Sequence, residues 1–348
     1  MRKTLIGLAG IALTGLVLTS CSQKPAMATG PRTDVTFAVL SVEQSQNLQK
    51  NWGPLFADME KQTGLKIHPF YSSSYTALIE AMRFNQVQAG WFSNASGLEA
   101  MRRANGEVFA HTTYPSGQEG YHSIIIAPKD SKLNNADDLL KCNKTLNFGM
   151  GDVKSTSGYV APMAYLFLAR HVDVNTCFKN LTSGNSHQTN FEGVAAGVLD
   201  AATNNDTALV ELNQTPEGRA KVAKIKVIWT SPLLPTDVIE YRTDLDPETK
   251  EKLRSFFLSY GQGTGPEAER QRANLLPLIW GPLKPDDNSH FLPERLMEAS
   301  VALQQAQAKK DAAGIKAAQD EIAAVNKDMA AQAAKSAPQA AADTVSSR

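Results

Sequence analysis

A chain of 348 residues in which 35 Lys and Arg cancel 35 Asp and Glu carries no net charge and is long enough for one large or two medium domains. Neutrality argues against a nucleic-acid partner, which requires a basic face, and 42% hydrophobic residues is ordinary for a soluble protein.

Arg2 and Lys3 form a short positive region, and the apolar stretch from Leu5 to Leu18 is too short for a comfortable bilayer span. It ends in Leu18-Thr19-Ser20-Cys21, which has the form of a bacterial lipobox: the thiol takes a diacylglycerol, and cleavage before Cys21 frees its amine. Residues 1–21 therefore read as a lipoprotein signal peptide and 22–34, with Pro25, Gly30 and Pro31, as a tether. The expected location is the periplasm or cell surface, anchored to a membrane through lipid. Export implies an oxidising compartment. With Cys21 used for lipid, the remaining pair Cys142 and Cys177 favours a disulfide over two core thiols. A metal site is not expected there, because no His or Cys stands at ligand spacing beside the pair.

Asp34 to Leu40 is a short apolar run that reads as a buried strand. Leu48 to Thr63 has helical spacing, with Trp52, Leu55, Phe56 and Met59 on one face and Gly64 as the stop. Leu65 to Tyr71 follows as a strand, Tyr75 to Asn85 as a helix, Ala89 to Phe92 as a strand and Leu98 to Ala104 as a helix. This alternation predicts an α/β fold with a mainly parallel sheet. Tyr121 to Ala127 is a strand, and the pattern then restarts with a helix at Ala136 to Leu140, a strand at Thr145 to Met150 and an apolar helix from Tyr159 to His171. Leu199 to Thr203 and Ile225 to Trp229 are further strands. Two lobes are expected, one from residues 35–128 with 236–300 and one from 129–235. Two crossings then make a hinge, with a ligand cleft between the lobes. Residues 301–335 read as a C-terminal helical extension. Its seam of Ile315, Ala318, Ile322, Val325 and Met329 calls for a helical partner, in the same chain or in a homodimer, and residues 336–348 are expected to be disordered.

The sharpest chemical signal inside the lobes is Ser155-Thr156-Ser157-Gly158, between an apolar strand and an apolar helix. A helix start offers unpaired N–H groups and partial positive charge, and clustered hydroxyls add donors for a compact tetrahedral anion. One of these residues could equally serve only as an N-cap. Several blocks then occur in order: Tyr71-Ser-Ser-Ser-Tyr75, Ile79-Glu-Ala-Met-Arg-Phe-Asn85, Gly120-Tyr121, Gly151-Asp-Val-Lys-Ser-Thr-Ser-Gly158, His187-Gln-Thr-Asn190, Ala202-Thr-Asn-Asn205 and Ser231-Pro-Leu-Leu-Pro-Thr-Asp237. This series, over roughly residues 35–330, resembles the phosphonate-binding protein of phosphonate ABC importers.

The resemblance implies a type II periplasmic-binding-protein fold whose two lobes close on the ligand, and an ABC permease with its ATPase as partner. It implies that Ser155, Thr156 and Ser157 hold phosphonate oxygens, that Tyr75, Tyr121 and His187 add donors, and that Asp237 meets the ligand's amine. Donors of these types suit P–O oxygens, and a carboxylate suits an ammonium. One departure stands out: the family's aminophosphonate binders carry a Glu where this chain has Thr207, and Asp206 is the candidate replacement. The expected ligand is a phosphonate such as 2-aminoethylphosphonate, with phosphite, methylphosphonate or another oxyanion as the alternative, or a role as a lipoprotein ligand sensor. No cofactor and no catalysis are expected, since neither cysteine nor His187 falls in an evident nucleophile–base arrangement.

Overall fold

The computed structural model describes residues 32–40 and 45–346; Cys21, the signal segment and nearly all of the tether lie outside them. The first half of lobe 1 contains β1 (Asp34–Leu40), α1 (Ser45–Thr63), β2 (Lys66–Ser72), α2 (Tyr75–Arg83), β3 (Ala89–Phe92), α3 (Asn94–Arg103) and β4 (Gly106–Thr113). Across the hinge come β5 (Gly120–Tyr121), β6 (Ser123–Pro128), α4 (Ala136–Leu139) and β7 (Asn147–Gly151). A helix with two π-turns, Thr156–Val160 and Met163–Phe167, follows β7. The second lobe is completed by α5 (Val174–Cys177), β8 (Asn180–Asn185), α6 (His187–Ala195), β9 (Ala201–Asn205), α7 (Asp206–Leu212), α8 (Pro216–Val222) and β10 (Ile225–Thr230). The chain returns through β11 (Leu234–Pro235) to β12 (Val238–Arg242), α9 (Pro247–Ser259), α10 (Pro266–Leu275), β13 (Gly281–Pro285), α11 (Leu292–Lys309) and α12 (Ala312–Ser346).

The two large sheets have the orders β2-β1-β3-β12-β4-β13 and β8-β7-β9-β6-β10. Each begins with three parallel strands and then admits an antiparallel strand that has just crossed from the other lobe, β12 in the first sheet and β6 in the second. This is the two-lobed type II arrangement. The lobe boundary needs correction, because Ser123–Pro128 pairs with β9 and β10 and so belongs to lobe 2, not to a first lobe ending at 128. An apolar run shows that a strand is buried but not which sheet takes it. The crossings lie at 114–122 and 231–237, where β5 pairs with β11.

Aromatic packing anchors lobe 1: Phe37 on β1 meets Trp52 and Phe56 of α1 and Phe257 of α9. Each is almost fully buried, and burying such a side chain stabilises by about 1.5–3 kcal/mol. In lobe 2, Phe148, Phe167 and Phe178 pack together beside a Cys142–Cys177 disulfide with Cα atoms 4.1 Å apart.

Helix α11 runs through the expected boundary at 300/301 and touches both lobes, with Met297 buried among Ala95 of α3 and Val160, Ala161 and Ala164 of the π-containing helix. Lys310, at φ 55°, turns the chain back, and α12 lies along α11. The seam is covered within the chain: Ala318 and Val325 are buried, and Arg295 pairs with Glu321 and Asp328. The homodimer expected through this seam would have to displace that hairpin, which forms without the entropy cost of association. Residues 336–346, expected to be disordered, continue the Ala-rich helix.

Candidate functional site

Strand β7 delivers its last residue into the start of the π-containing helix at close range. A Cβ on Gly151 would stand 2.7 Å from the Cα of Gly158, so glycine is needed there. Ser155 is the N-cap, its Oγ accepting from Gly158 N–H at 3.0 Å. Thr203 of β9 clamps the turn, accepting from Gly151 N–H at 3.1 Å and donating to the Gly158 carbonyl at 2.8 Å. The first N–H groups of such a helix have no acceptor one turn earlier, so the helix start faces outward as a set of donors.

Between the lobes lies a cavity of about 110 Å³. At roughly 10–15 Å³ per water-sized group it takes a ligand of about seven to eleven heavy atoms. Tyr75, Tyr121, Ser155, Ser157, His187 and Asp237 all line it, brought from α2, both crossings, the helix start and α6. Among the described residues no Lys or Arg does. An anion here must be held by neutral donors and backbone.

Those donors converge at one end. Ser157 Oγ lies 3.3 Å from His187 Nε2 and 3.5 Å from Asn205 Nδ2. Burial lowers the His187 pKa to about 4, so the ring is neutral near pH 7. Asn204 Nδ2 donates to the His187 carbonyl at 2.9 Å and fixes the start of α6. Tyr121 is pushed well above the ordinary phenol range by burial, with the nearby Asp237 charge adding, and therefore remains a donor.

Burial raises Asp237 to about 7, only partly offset by Trp91, and its charge acts on Tyr121, which also bonds Ser157. The buried Trp91 indole N–H approaches that carboxylate too loosely for a well-formed hydrogen bond and has no other acceptor. Trp91, Trp52 and Trp280 form an aromatic wall beside it, with centroids 5.0–5.8 Å apart. A buried carboxylate without a cationic partner is a setting for a ligand's cation.

Two expected ligand residues stand elsewhere. Thr156 Oγ1 accepts from Ala95 N–H at 2.8 Å, capping α3 of the opposite lobe, and is not on the cavity wall. The Asp206 carboxylate accepts from His122 N–H at 2.9 Å and faces a neighbouring surface groove. Thr207 does line the cavity, but its Oγ1 lies 2.6 Å from the Tyr114 hydroxyl, a bond from the first crossing to lobe 2. Lys154–Glu99 at 3.2 Å is another interlobe link. Sequence reasoning missed Trp52, Tyr114, Asn205, Glu211 and Trp280 on the wall. Trp52 reads as a core-facing helix residue, and Glu211 stands five residues after Asp206, so only the turn of α7 brings it inward. Ile279, also on the wall, holds φ at 57°, a strained conformation for a β-branched residue.

A sequence model for the periplasmic substrate-binding protein of phosphonate ABC transporters matches residues 37–291. The phosphonates-binding periplasmic protein of Escherichia coli is 37% identical over 304 residues, 87% of each chain. The structure of a binding-protein component of an ABC phosphonate transporter from Pseudomonas aeruginosa superposes with a TM-score of 0.81 at 37% identity, covering 86% of this chain and 99% of that one. A Prochlorococcus marinus protein solved with methylphosphonate shares the fold, with a TM-score of 0.64 at 19% identity over 76% of this chain and 97% of its own. With its two-sheet fold and its interlobe cavity of neutral donors, the chain belongs to the family of periplasmic substrate-binding proteins of phosphonate ABC transporters.

Proposed function

We propose that this chain captures a small aminophosphonate, such as 2-aminoethylphosphonate, and presents it to the permease of its transporter. The observation that carries the reading is the mixed lining of the cavity: hydroxyl and imidazole donors together with a buried carboxylate beside the Trp91 indole N–H. A ligand that carries both a phosphonate and an ammonium matches that pair of groups. Calorimetry with 2-aminoethylphosphonate, methylphosphonate and phosphite tests it. Tightest binding of the amine supports the proposal, and preference for either amine-free ion refutes it.

A second reading, an importer of methylphosphonate or phosphite, is favoured by the engagement of Asp206 with His122 and of Thr207 with Tyr114. These leave Asp237 as the principal carboxylate for an amine, with Glu211 farther along α7. A binding role without catalysis accords with the family, and the two described cysteines are joined to each other rather than free as nucleophiles. We also propose lipid attachment at Cys21. A Cys21→Ser variant should leave the membrane fraction, and normal membrane retention would refute the anchor. Residues 315–329, in α12, pack along α11 of the same chain, so the protein should sediment as a monomer; a dimer that dissociates on deletion of α12 would restore the seam as an interface.

A further inference from the structure

Away from the cavity, where β4, β13 and the start of α11 meet the hinge, His111, Asp286 and His290 point at one another. His111 Nδ1 lies 2.6 Å and His290 Nδ1 2.7 Å from the same oxygen, Oδ2 of Asp286. The rings are stacked with centroids 5.3 Å apart, and His111 and His290 are 10% and 8% exposed at the side chain. The remaining ring nitrogens are also engaged. His290 Nε2 donates to the Thr236 carbonyl at 2.8 Å, and His111 Nε2 lies 3.1 Å from a Glu119 oxygen.

That outer pairing matters. A neutral imidazole has one N–H and one lone pair, and a carbonyl can accept only the N–H. With the proton of His290 placed on Nε2, its Nδ1 presents a lone pair to Asp286. His111, with a carboxylate at each nitrogen, has the same choice when its Nε2–H serves Glu119. Two lone pairs and a carboxylate oxygen then converge on one point and repel unless something positive fills it. Metal-bound histidines recurrently donate their other N–H to a carboxylate or backbone carbonyl, which is the pattern here.

We propose that His111, Asp286 and His290 form a binding site for a divalent transition-metal ion of the zinc class. Two imidazole nitrogens and one carboxylate are a ligand set such ions accept, with the fourth position left to water. Ligands at 2.0–2.1 Å in tetrahedral geometry stand about 3.3 Å apart, so the present contacts need open by only about 0.7 Å. All candidate ligand atoms already lie within 4.8 Å of one another. In charge, one divalent ion replaces the two Nδ1 protons that otherwise hold the cluster together. Asp286 and Glu119 set two negative charges against the ion's two, and Lys284, paired with Glu119, leaves the group one positive charge. Glu119 belongs to the first crossing and Thr236 to the second, beside Asp237; a bound ion would therefore fasten both hinge segments to lobe 1. The ligands were invisible as a motif because 175 residues separate His111 from Asp286.

The test uses the mature full-length chain, purified without a polyhistidine tag and stripped with chelator. Zn²⁺ titrated by calorimetry should bind at one equivalent and raise the melting temperature. Co²⁺ should give the intense visible absorption of a four-coordinate N/O site and be displaced by Zn²⁺. Asp286→Asn and His290→Asn should each weaken Zn²⁺ binding more than a hundredfold, whereas His68→Asn, a surface histidine paired with Asp34, should leave it unchanged. No one-equivalent titration in the wild type, or unchanged affinity in both variants, overturns the site. If the variants do not fold, the wild-type Co²⁺ spectrum decides: only the weak absorption of six-coordinate cobalt overturns the proposal.

Discussion

Asp237 gives the most discriminating perturbation, because pH alone changes it. Burial raises its pKa to about 7, so near neutrality the empty cavity holds a mixture of acid and carboxylate. An ammonium ligand binds the carboxylate and must expel the proton below that pH. Its apparent dissociation constant should then scale as 1 + 10^(7 − pH), about 1.1 at pH 8 and about 11 at pH 6. The tenfold loss corresponds to about 1.4 kcal/mol. Phosphonates themselves titrate in this range, and a β-ammonium lowers the second phosphonate pKa below that of methylphosphonate, so neither one ligand nor the ratio of two isolates the carboxylate. The Asp237→Asn variant meets the same ligand titration but has no ionisable group at that place. Calorimetry of 2-aminoethylphosphonate with the wild type and with Asp237→Asn at pH 6, 7 and 8 therefore isolates the carboxylate in the ratio of the two constants. The advantage of the wild type should fall about tenfold from pH 8 to pH 6. A ratio that moves less than about twofold would refute the pairing of Asp237 with the amine.

Other expectations follow from residues around the cavity and in the two cores. Thr156→Val removes the hydroxyl that caps α3 across the cleft, which should cost about 0.5–2 kcal/mol of closure and weaken every ligand by the same two- to thirtyfold. Thr156→Ser should restore binding; a ligand-selective loss would instead place Thr156 on the ligand. Glu240 is fully buried, its oxygens unpaired, and burial raises its pKa well above the usual carboxylate range. The native state thus holds a proton that the unfolded chain loses above about pH 4.5, so this group's contribution to stability falls as pH rises from there. Glu240→Gln should flatten the decline by up to about 1.4 kcal/mol per pH unit, measured by denaturant melts between pH 5 and 8, and an unchanged slope would contradict a protonated Glu240. Removing the Cys142–Cys177 bridge, which closes a 35-residue separation, should cost about 4 kcal/mol in the chain-entropy model. Two free thiols in the unfolded, unreduced protein would contradict the bridge.

The parts of the fold legible in the sequence were those with unmixed periodicity. The run Asp34–Leu40, the amphipathic helix ending at Thr63 and the strand Ala89–Phe92 stand where apolar spacing put them. Strand β4 escaped because His111, Thr112 and Thr113 are buried polar residues, satisfied by partners far along the chain. Strand β8 escaped because Asn180–Asn185 is mostly exposed and polar. At the site, Ser155 and Ser157 were readable because a helix start makes its own chemistry. Thr156, between them, points the other way around the helix, and no spacing rule shows which hydroxyl faces the other lobe. The aromatic wall was hidden for a related reason: Trp52 and Trp280 belong to one hydrophobic core, and only lobe closure turns that core's edge into a cavity wall.

The central claim is the direction of the ligand in the cavity. A crystal structure of the protein with 2-aminoethylphosphonate tests it without reference to affinity. Phosphonate oxygens should lie within about 2.5–3.2 Å of the Ser155 and Ser157 hydroxyls and the N–H groups at the start of that helix, and the amine within the same reach of the Asp237 carboxylate. A ligand lying the other way round, or an amine held by Glu211 with Asp237 unengaged, would contradict it.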